Sequence, residues 1–208
     1  MTAQHSPEWY ALRLGRITAS RVNDVLAVSK RDGKPLQARQ DYAEELVIEL
    51  LTGQSDPVFE TAAMRWGTEQ EPFARAAYEA HVGDMVEEVG FVVHPDLDFL
   101  GASPDGLRIG IKRGLEIKCP GRRKHLQTLL YGMPEEHIAQ VQIGMACTGL
   151  AEWDFVSFDP RWPEPLQLHF ETIKRDDAWI ERALDECQLF WTEVAATAAA
   201  IKSLRGMK

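Results

Sequence analysis

Apolar residues recur at helical spacing over "DYAEELVIELLTG", at Tyr42, Leu46 and Leu50, and the run closes on Gly53. Upstream, "SPEWYALRLGRITASRVNDVLAVS" predicts a helix, a tight turn at Gly15 and a second helix. Ser6 suits the first cap, Pro7 the first helical position, and Thr18 or Ser20 the second cap. A polar connector, "KRDGKPLQARQ", follows. "VFETAAMRWGTEQEPFARAAYEAHVG" is helical again, with a break expected near Gly67. From 84 to 120 the pattern changes: Val, Ile and Phe alternate with Gly, Pro and Asp turns, which predicts three or four strands. "GRRKHLQTLLYGMPE" is partly helical, and "EHIAQVQIGMACTG" is a helix ending on glycine. "EWDFVSFDP" and "LQLHFETIKR" are strands, and a long amphipathic helix closes the chain. This order predicts a mixed α/β fold, a central β-sheet flanked by helices, with residues 1–208 as a single domain.

Composition adds limits. The 208 residues are 45% hydrophobic and 26% charged, ordinary for a globular protein. No stretch approaches the ~20 apolar residues of a membrane span, and the N-terminus lacks a secretory pattern, so a cytoplasmic protein without membrane partners is expected. Cys119, Cys147 and Cys187 form no C-x-x-C pair, which argues against zinc and iron–sulfur sites. The histidines at 94, 125, 137 and 169 have no ligand spacing, Trp66 and Trp153 read as core, and no phosphate-binding glycine loop for ATP occurs. The net charge of -9 argues weakly against nucleic acid. The charge is uneven, however: residues 108–125 hold Arg108, Lys112, Arg113, Lys118, Arg122, Arg123, Lys124 and His125 against one acid, Glu116. They predict a basic face on an acidic body.

The chemistry concentrates in "GASPDGLRIGIKRGLEIKCP". In a strand, Glu116 and Lys118 share one face while Leu115 and Ile117 point to the other. A hairpin brings Asp105 beside Glu116, and two adjacent carboxylates favour a divalent cation between them. Hard oxygen ligands suit Mg2+, with Mn2+ as a substitute. A lysine alongside can orient water or stabilise developing charge. The alternative is a surface turn followed by an exposed ion pair.

Four segments, "WYALRLGRITAS", "WGTEQEPFAR", "GASPDGL…LEIKCP" and "HIAQVQIGMACTG" with "FDPR", lie in an order that resembles the phage lambda exonuclease (alkaline exonuclease, YqaJ-like recombinase) family of the PD-(D/E)XK nucleases. The resemblance implies a restriction-endonuclease-like core. It places metal ligands at Asp105, Glu116 and the Ile117 carbonyl, the catalytic lysine at Lys118, an additional metal-site acid at Glu71 and a supporting glutamine at Gln140. It places a 5′-phosphate pocket at Arg13, Ser20 and Ser103, a base-wedging residue at Met64 and a backbone contact at Lys30. Local readings compete. Thr68-x-x-Glu71 fits a capping box, Gln140 fits an exposed helix position, Arg13 and Ser20 fit a helix end and cap, and Met64 fits a core. Lys30 and the 122–124 run fit a solvated face as well as a DNA contact.

By this resemblance the protein is a Mg2+-dependent 5′-to-3′ exonuclease on double-stranded DNA ends. It would release 5′-mononucleotides and leave a 3′ strand for a single-strand annealing protein, and it would act as a ring-shaped homotrimer. The rivals are an endonuclease or single-strand nuclease of the same superfamily, and a binding protein without catalysis.

Overall fold

Ser6 Oγ accepts from Trp9 N at 3.2 Å, and Pro7 opens helix α1 (Pro7–Arg13) as the capping chemistry predicts. In this computed structural model residues 4–29, 31–57, 59–108, 110–204 and 206 are described. After the Gly15 turn the expected helix is displaced. Ile17–Thr18 forms a short strand, β1, and a 3-10 turn (Ala19–Arg21) leads into a single helical turn, α2 (Val22–Val25). Neither Thr18 nor Ser20 caps it: the cap position is Arg21, with no side-chain bond. The two β-branched residues suit an extended pairing. Their partners, Leu100 and Gly101, lie far along the chain, where no local pattern reveals them.

Helix α3 (Gln37–Thr52) ends at Gly53 as expected. Helix α4 (Ala62–Val82) is capped by Thr61, which accepts from Met64 N, and runs unbroken through Gly67 and Pro72. The expected break is absent because Ala74 and Tyr78 pack the helix against a sheet. The 84–120 region yields four strands: β2 (Val92–Val93), β3 (Leu100–Ala102), β4 (Gly106–Arg108) and β5 (Arg113–Lys118). Helices α5 (Arg122–Tyr131) and α6 (Ile138–Thr148), strands β6 (Glu152–Phe158) and β7 (Leu168–Lys174), and helix α7 (Asp177–Leu204) complete the order. No helix among the described residues is long and apolar enough to cross a membrane.

The strands form two sheets rather than one. The larger has the order β4-β5-β6-β7, with β5 and β6 parallel and both outer pairs antiparallel. The smaller has the order β1-β3-β2. Leu115, Ile117, Val156 and Phe158 on one face of the larger sheet pack with Ala74 and Tyr78 of α4. Burying each large apolar side chain contributes about 1.5–3 kcal/mol. Helix α6 is buried on nearly all sides, from Ala139 to Cys147, as a helix apolar all round must be. Its Gly144 and the facing Gly114 of β5 leave room for the Trp153 ring: a Cβ at either would lie 2.8 Å or less from it. Trp153 is thus core, while Trp66 is only half-buried, with Arg161 stacked 4.2 Å from its ring. Across the molecule α3 and α7 share a second core, with Tyr42 and Phe190 stacked at 5.6 Å.

Candidate active site

The β4–β5 hairpin fixes the first acid. Asp105 N donates to Leu115 O at 3.0 Å, and Asp105 Oδ2 accepts from Ile117 N at 2.6 Å, so main chain clamps the carboxylate. Strand alternation does the rest. Leu115 and Ile117 enter the α4 core, and Glu116 and Lys118 face the other way. Glu116 is 2% exposed, and its Oε1 lies 2.5 Å from Lys118 Nζ. Lys118 Nζ also donates to Gln140 Oε1 of α6 at 3.2 Å. Gln142, two positions on, turns away: it donates to Lys174 O and accepts from Asp176 N. Glu71 approaches from α4, where its Oε1 accepts from Arg75 Nη2 at 2.8 Å. The capping-box alternative for Glu71 fails, because Thr68 lies inside α4 and its hydroxyl donates to Met64 O.

The acids strain against one another. Burial pushes the Glu116 carboxyl up to about 8 against the pull of Lys118, with the charges of Asp105 and Glu71 adding to the rise. Burial raises Glu71 to about 7, helped by Asp105 and opposed by Arg75. Burial also raises Asp105 against Lys118 and the Ile117 N–H. Lys118 is driven down by burial but ends above its ordinary value, because Glu116 and Asp105 favour its charge.

These residues fit a hard divalent cation in part. Among the described residues no three His, Cys, Asp or Glu side chains form a ready-made metal cage. Glu71 is tied to Arg75 rather than closed onto the other two acids. Glu116 Oε1, however, is buried with no aligned hydrogen-bond donor, since Lys118 pairs with it by charge but outside hydrogen-bond geometry. Two carboxylates held side by side, one with an unsatisfied buried oxygen, suit an oxygen-seeking cation.

A cavity of about 120 Å³ opens beside this cluster, lined by Trp9, Arg13, Ser20, Ser103, Glu116 and Gln140 among others. Arg13 Nη1 and Trp9 Nε1 both donate to Ser103 Oγ at 3.1 Å, and the guanidinium lies 4.2 Å over the Trp9 ring. With its oxygen accepting twice, the Ser103 hydroxyl has only its hydrogen left to offer. Ser20 Oγ sits 3.3 Å from Thr18 Oγ1. Arg13 does end α1, as the helix-end reading has it, and Ser20 caps no helix; both also line the cavity that reaches Glu116 and Gln140. A wider cleft of about 660 Å³ adjoins through Trp9, Arg13 and Ser20 and includes Met64. Met64 is 48% exposed, so it is not a core methionine.

The basic run divides. Arg108 is buried and pairs with Asp84 and Asp154, Arg113 pairs with Glu152 and Asp154, and His125 is buried between Ser157 Oγ and Leu166 O. Arg122, Arg123 and Lys124 emerge together on the first turn of α5, and Lys112 is exposed by itself at the hairpin turn. The single basic face is therefore a correction: Arg108, Arg113 and Lys118 of the hairpin strands turn into ion pairs, and His125 is buried. Lys30 lies outside the described residues. Trp9 and Arg75 were missed, although each stands four residues from a predicted site residue on the same helix, the spacing of facing side chains.

Comparisons with known proteins place the fold in a family. A model of the YqaJ-like viral recombinase domain matches residues 8–151. None of the curated proteins matches. The structure of an alkaline exonuclease, LHK-Exo, from Laribacter hongkongensis is similar at 42% identity, covering 97% of this chain and 98% of that one, with a TM-score of 0.88. LHK-Exo in complex with dAMP matches at 42% identity over the same shares, with a TM-score of 0.89. A phage-related exonuclease from Haemophilus somnus 129PT shares the fold at 14% identity, covering 89% and 96% of the two chains, with a TM-score of 0.69. The fold is the mixed α/β arrangement of these nucleases, its sheets flanked by helices, and the chain belongs to the YqaJ-like viral recombinase family.

Proposed function

We propose that the protein is a divalent-metal-dependent 5′-to-3′ exonuclease on linear double-stranded DNA that releases 5′-mononucleotides. One observation carries the reading: Glu116 and Gln140 of the acid–lysine cluster line the same small cavity as Arg13, Ser20 and Ser103. A site for cleavage and a site for an anion thus lie side by side, which suits an enzyme that measures from a terminal phosphate.

Asp105, Glu116 and the Ile117 carbonyl would hold Mg2+, or Mn2+ in its place. When bound, the cation supplies positive charge to the scissile phosphate and acidifies water. Lys118, steadied by Gln140 and Glu116, orients the attacking water and offsets charge on the phosphate. Glu71, held by Arg75, would serve a second ion or its waters. The guanidinium of Arg13 and the hydroxyls of Ser20 and Ser103 hold the 5′-phosphate by charge-assisted hydrogen bonds. The exposed Met64, in the adjoining cleft, wedges against the terminal base pair, and Lys30 contacts the backbone. The dAMP held by LHK-Exo is a mononucleotide, the product class expected here. The same reading includes a ring-shaped homotrimer acting in the cytoplasm and an annealing protein that receives the 3′ strand.

The test is an internally labelled duplex with a 5′-phosphate or a 5′-hydroxyl, with and without Mg2+. Mononucleotide release that needs the metal and prefers the 5′-phosphate supports the reading. Equal rates on both ends remove the phosphate-pocket role. Rapid cutting of covalently closed circles replaces the exonuclease with an endonuclease.

A further inference from the structure

"FDPR", residues 158–161, runs off the end of β6. Strands β5 and β6 run parallel with Lys118 opposite Ser157, so Asp159, two residues beyond Ser157, lies at the same strand edge as the catalytic lysine. Ligands of open α/β sheets gather outside the carboxyl ends of such strands. Asp159 is fully buried and continues the pairing, its N–H donating to Gln167 O at 2.9 Å.

Its carboxylate is consumed by Arg161. Oδ1 accepts from Arg161 N at 3.1 Å and Nε at 2.7 Å, and Oδ2 accepts from Nη2 at 2.8 Å. Burial alone would raise the Asp159 carboxyl, but the Arg161 bonds hold it below its ordinary value. The guanidinium also lies 4.2 Å over the Trp66 ring of α4. An arginine held along one edge by a carboxylate and on one face by an indole has lost most of its rotamer freedom. Its remaining edge, Nη1 with the second hydrogen of Nη2, takes no hydrogen bond among the described residues, and the side chain is 35% exposed. Such an edge matches two oxygens of one phosphate. Beside it, the Trp162 ring lies 5.8 Å from the His125 ring of α5, the helix whose first turn carries the exposed Arg122 and Arg123.

We infer that Asp159, Arg161 and Trp66 form a built contact for one phosphate of the nucleic-acid backbone, with the free edge of Arg161 as donor and Asp159 and Trp66 as positioning residues. This rests on the DNA substrate proposed above and adds to it a grip outside both the cleavage site and the 5′-phosphate pocket.

The test is duplex binding by fluorescence anisotropy in a Lys118→Ala parent, from about 50 to 200 mM salt. Arg161→Ala in that parent is expected to bind about tenfold more weakly at low salt and to flatten the slope of log K against log salt by about 1. Arg161→Gln, which keeps a donor for Asp159 and so protects the fold, should flatten it equally. Trp66→Leu should weaken binding while the slope stays, because the charge remains and only its orientation is lost. Unchanged affinity and slope in folded Arg161→Gln overturn the inference and leave Arg161 a structural partner of Asp159. A parent that binds no duplex at any salt overturns this inference and the DNA substrate together.

Discussion

Two buried acids occupy adjacent rungs of neighbouring strands. Asp154 of β6 stands opposite Leu115, and Glu116 of β5 stands opposite Phe155, so they point to opposite faces of one sheet. Both are almost wholly buried. Asp154 accepts from the Tyr78 hydroxyl, from Arg113 Nη1 at 3.3 Å and from Thr172 Oγ1 at 2.6 Å, with Arg108 Nη1 at 3.7 Å. It ties α4, β4, β5 and β7 to β6. Glu116 has one cation and an oxygen without an aligned donor, and burial, with two further acids adding to it, pushes its carboxyl up to about 8. Burial is shared and satisfaction is not. A surrounded carboxylate holds structure together, and an under-satisfied one beside other acids is held ready for a ligand.

The largest effect that separates the two belongs to Asp154. Asp154→Ala takes from Arg108, Arg113, Thr172 and the Tyr78 hydroxyl the buried carboxylate they share, and should cost about 3–5 kcal/mol of stability in urea unfolding. Glu116→Gln should leave that unfolding curve unchanged or shift it to higher urea, because it removes an ill-matched buried charge. Lys118→Ala comes next: DNA hydrolysis should fall by a factor on the order of 10²–10³, the loss expected when a positioned charge at the reacting centre is removed, with the fold intact by circular dichroism. Tyr78→Phe should cost roughly 1–3 kcal/mol by leaving a buried carboxylate oxygen short of a donor, while the metal concentration giving half-maximal activity stays fixed. A comparable shift in that midpoint would show that the two faces are not separable.

The smallest effect is in pH. His137 stacks on Phe155, the residue opposite Glu116, with ring centroids 5.3 Å apart, and burial, then the charge of Lys118, lowers it to about 4. The unfolded histidine takes a proton near its ordinary value of 6.5, above the folded one. The folded state therefore binds fewer protons, and this contribution is full above pH 6.5 and lost as pH falls toward 4. Thermal melts of His137→Gln should lose less stability between pH 7.5 and pH 5 than those of the parent. An identical decline in both proteins would remove His137 as the cause.

Much of the Glu116 side was legible in the sequence because a strand's period of two is strict: once 113–118 extends, Glu116 and Lys118 must share a face, and the turn at 105 must bring its carboxylate near. Gln140 and Gln142 separate because a helix turns about 200° over two residues, so they face different partners. The Asp154 side was opaque. Nothing local to Arg108 or Arg113 says that a buried acid on another strand claims them, so they looked like part of a basic surface. Strand β1 failed for a like cause, its partner being at Leu100. Ser103 was foreseen for the pocket, but the indole of Trp9 that fixes it was not, because a tryptophan on a short helix usually reads as core.

Mn2+ titration followed by thermal melting, run on the parent protein, Glu116→Gln and Asp154→Asn, tests the distinction most directly. The expected result is a rise in melting temperature with Mn2+ in the parent and in Asp154→Asn, from a lowered baseline in the latter, and no rise in Glu116→Gln. A metal-dependent rise that survives in Glu116→Gln would contradict the assignment of Glu116 as the acid held ready for the ion.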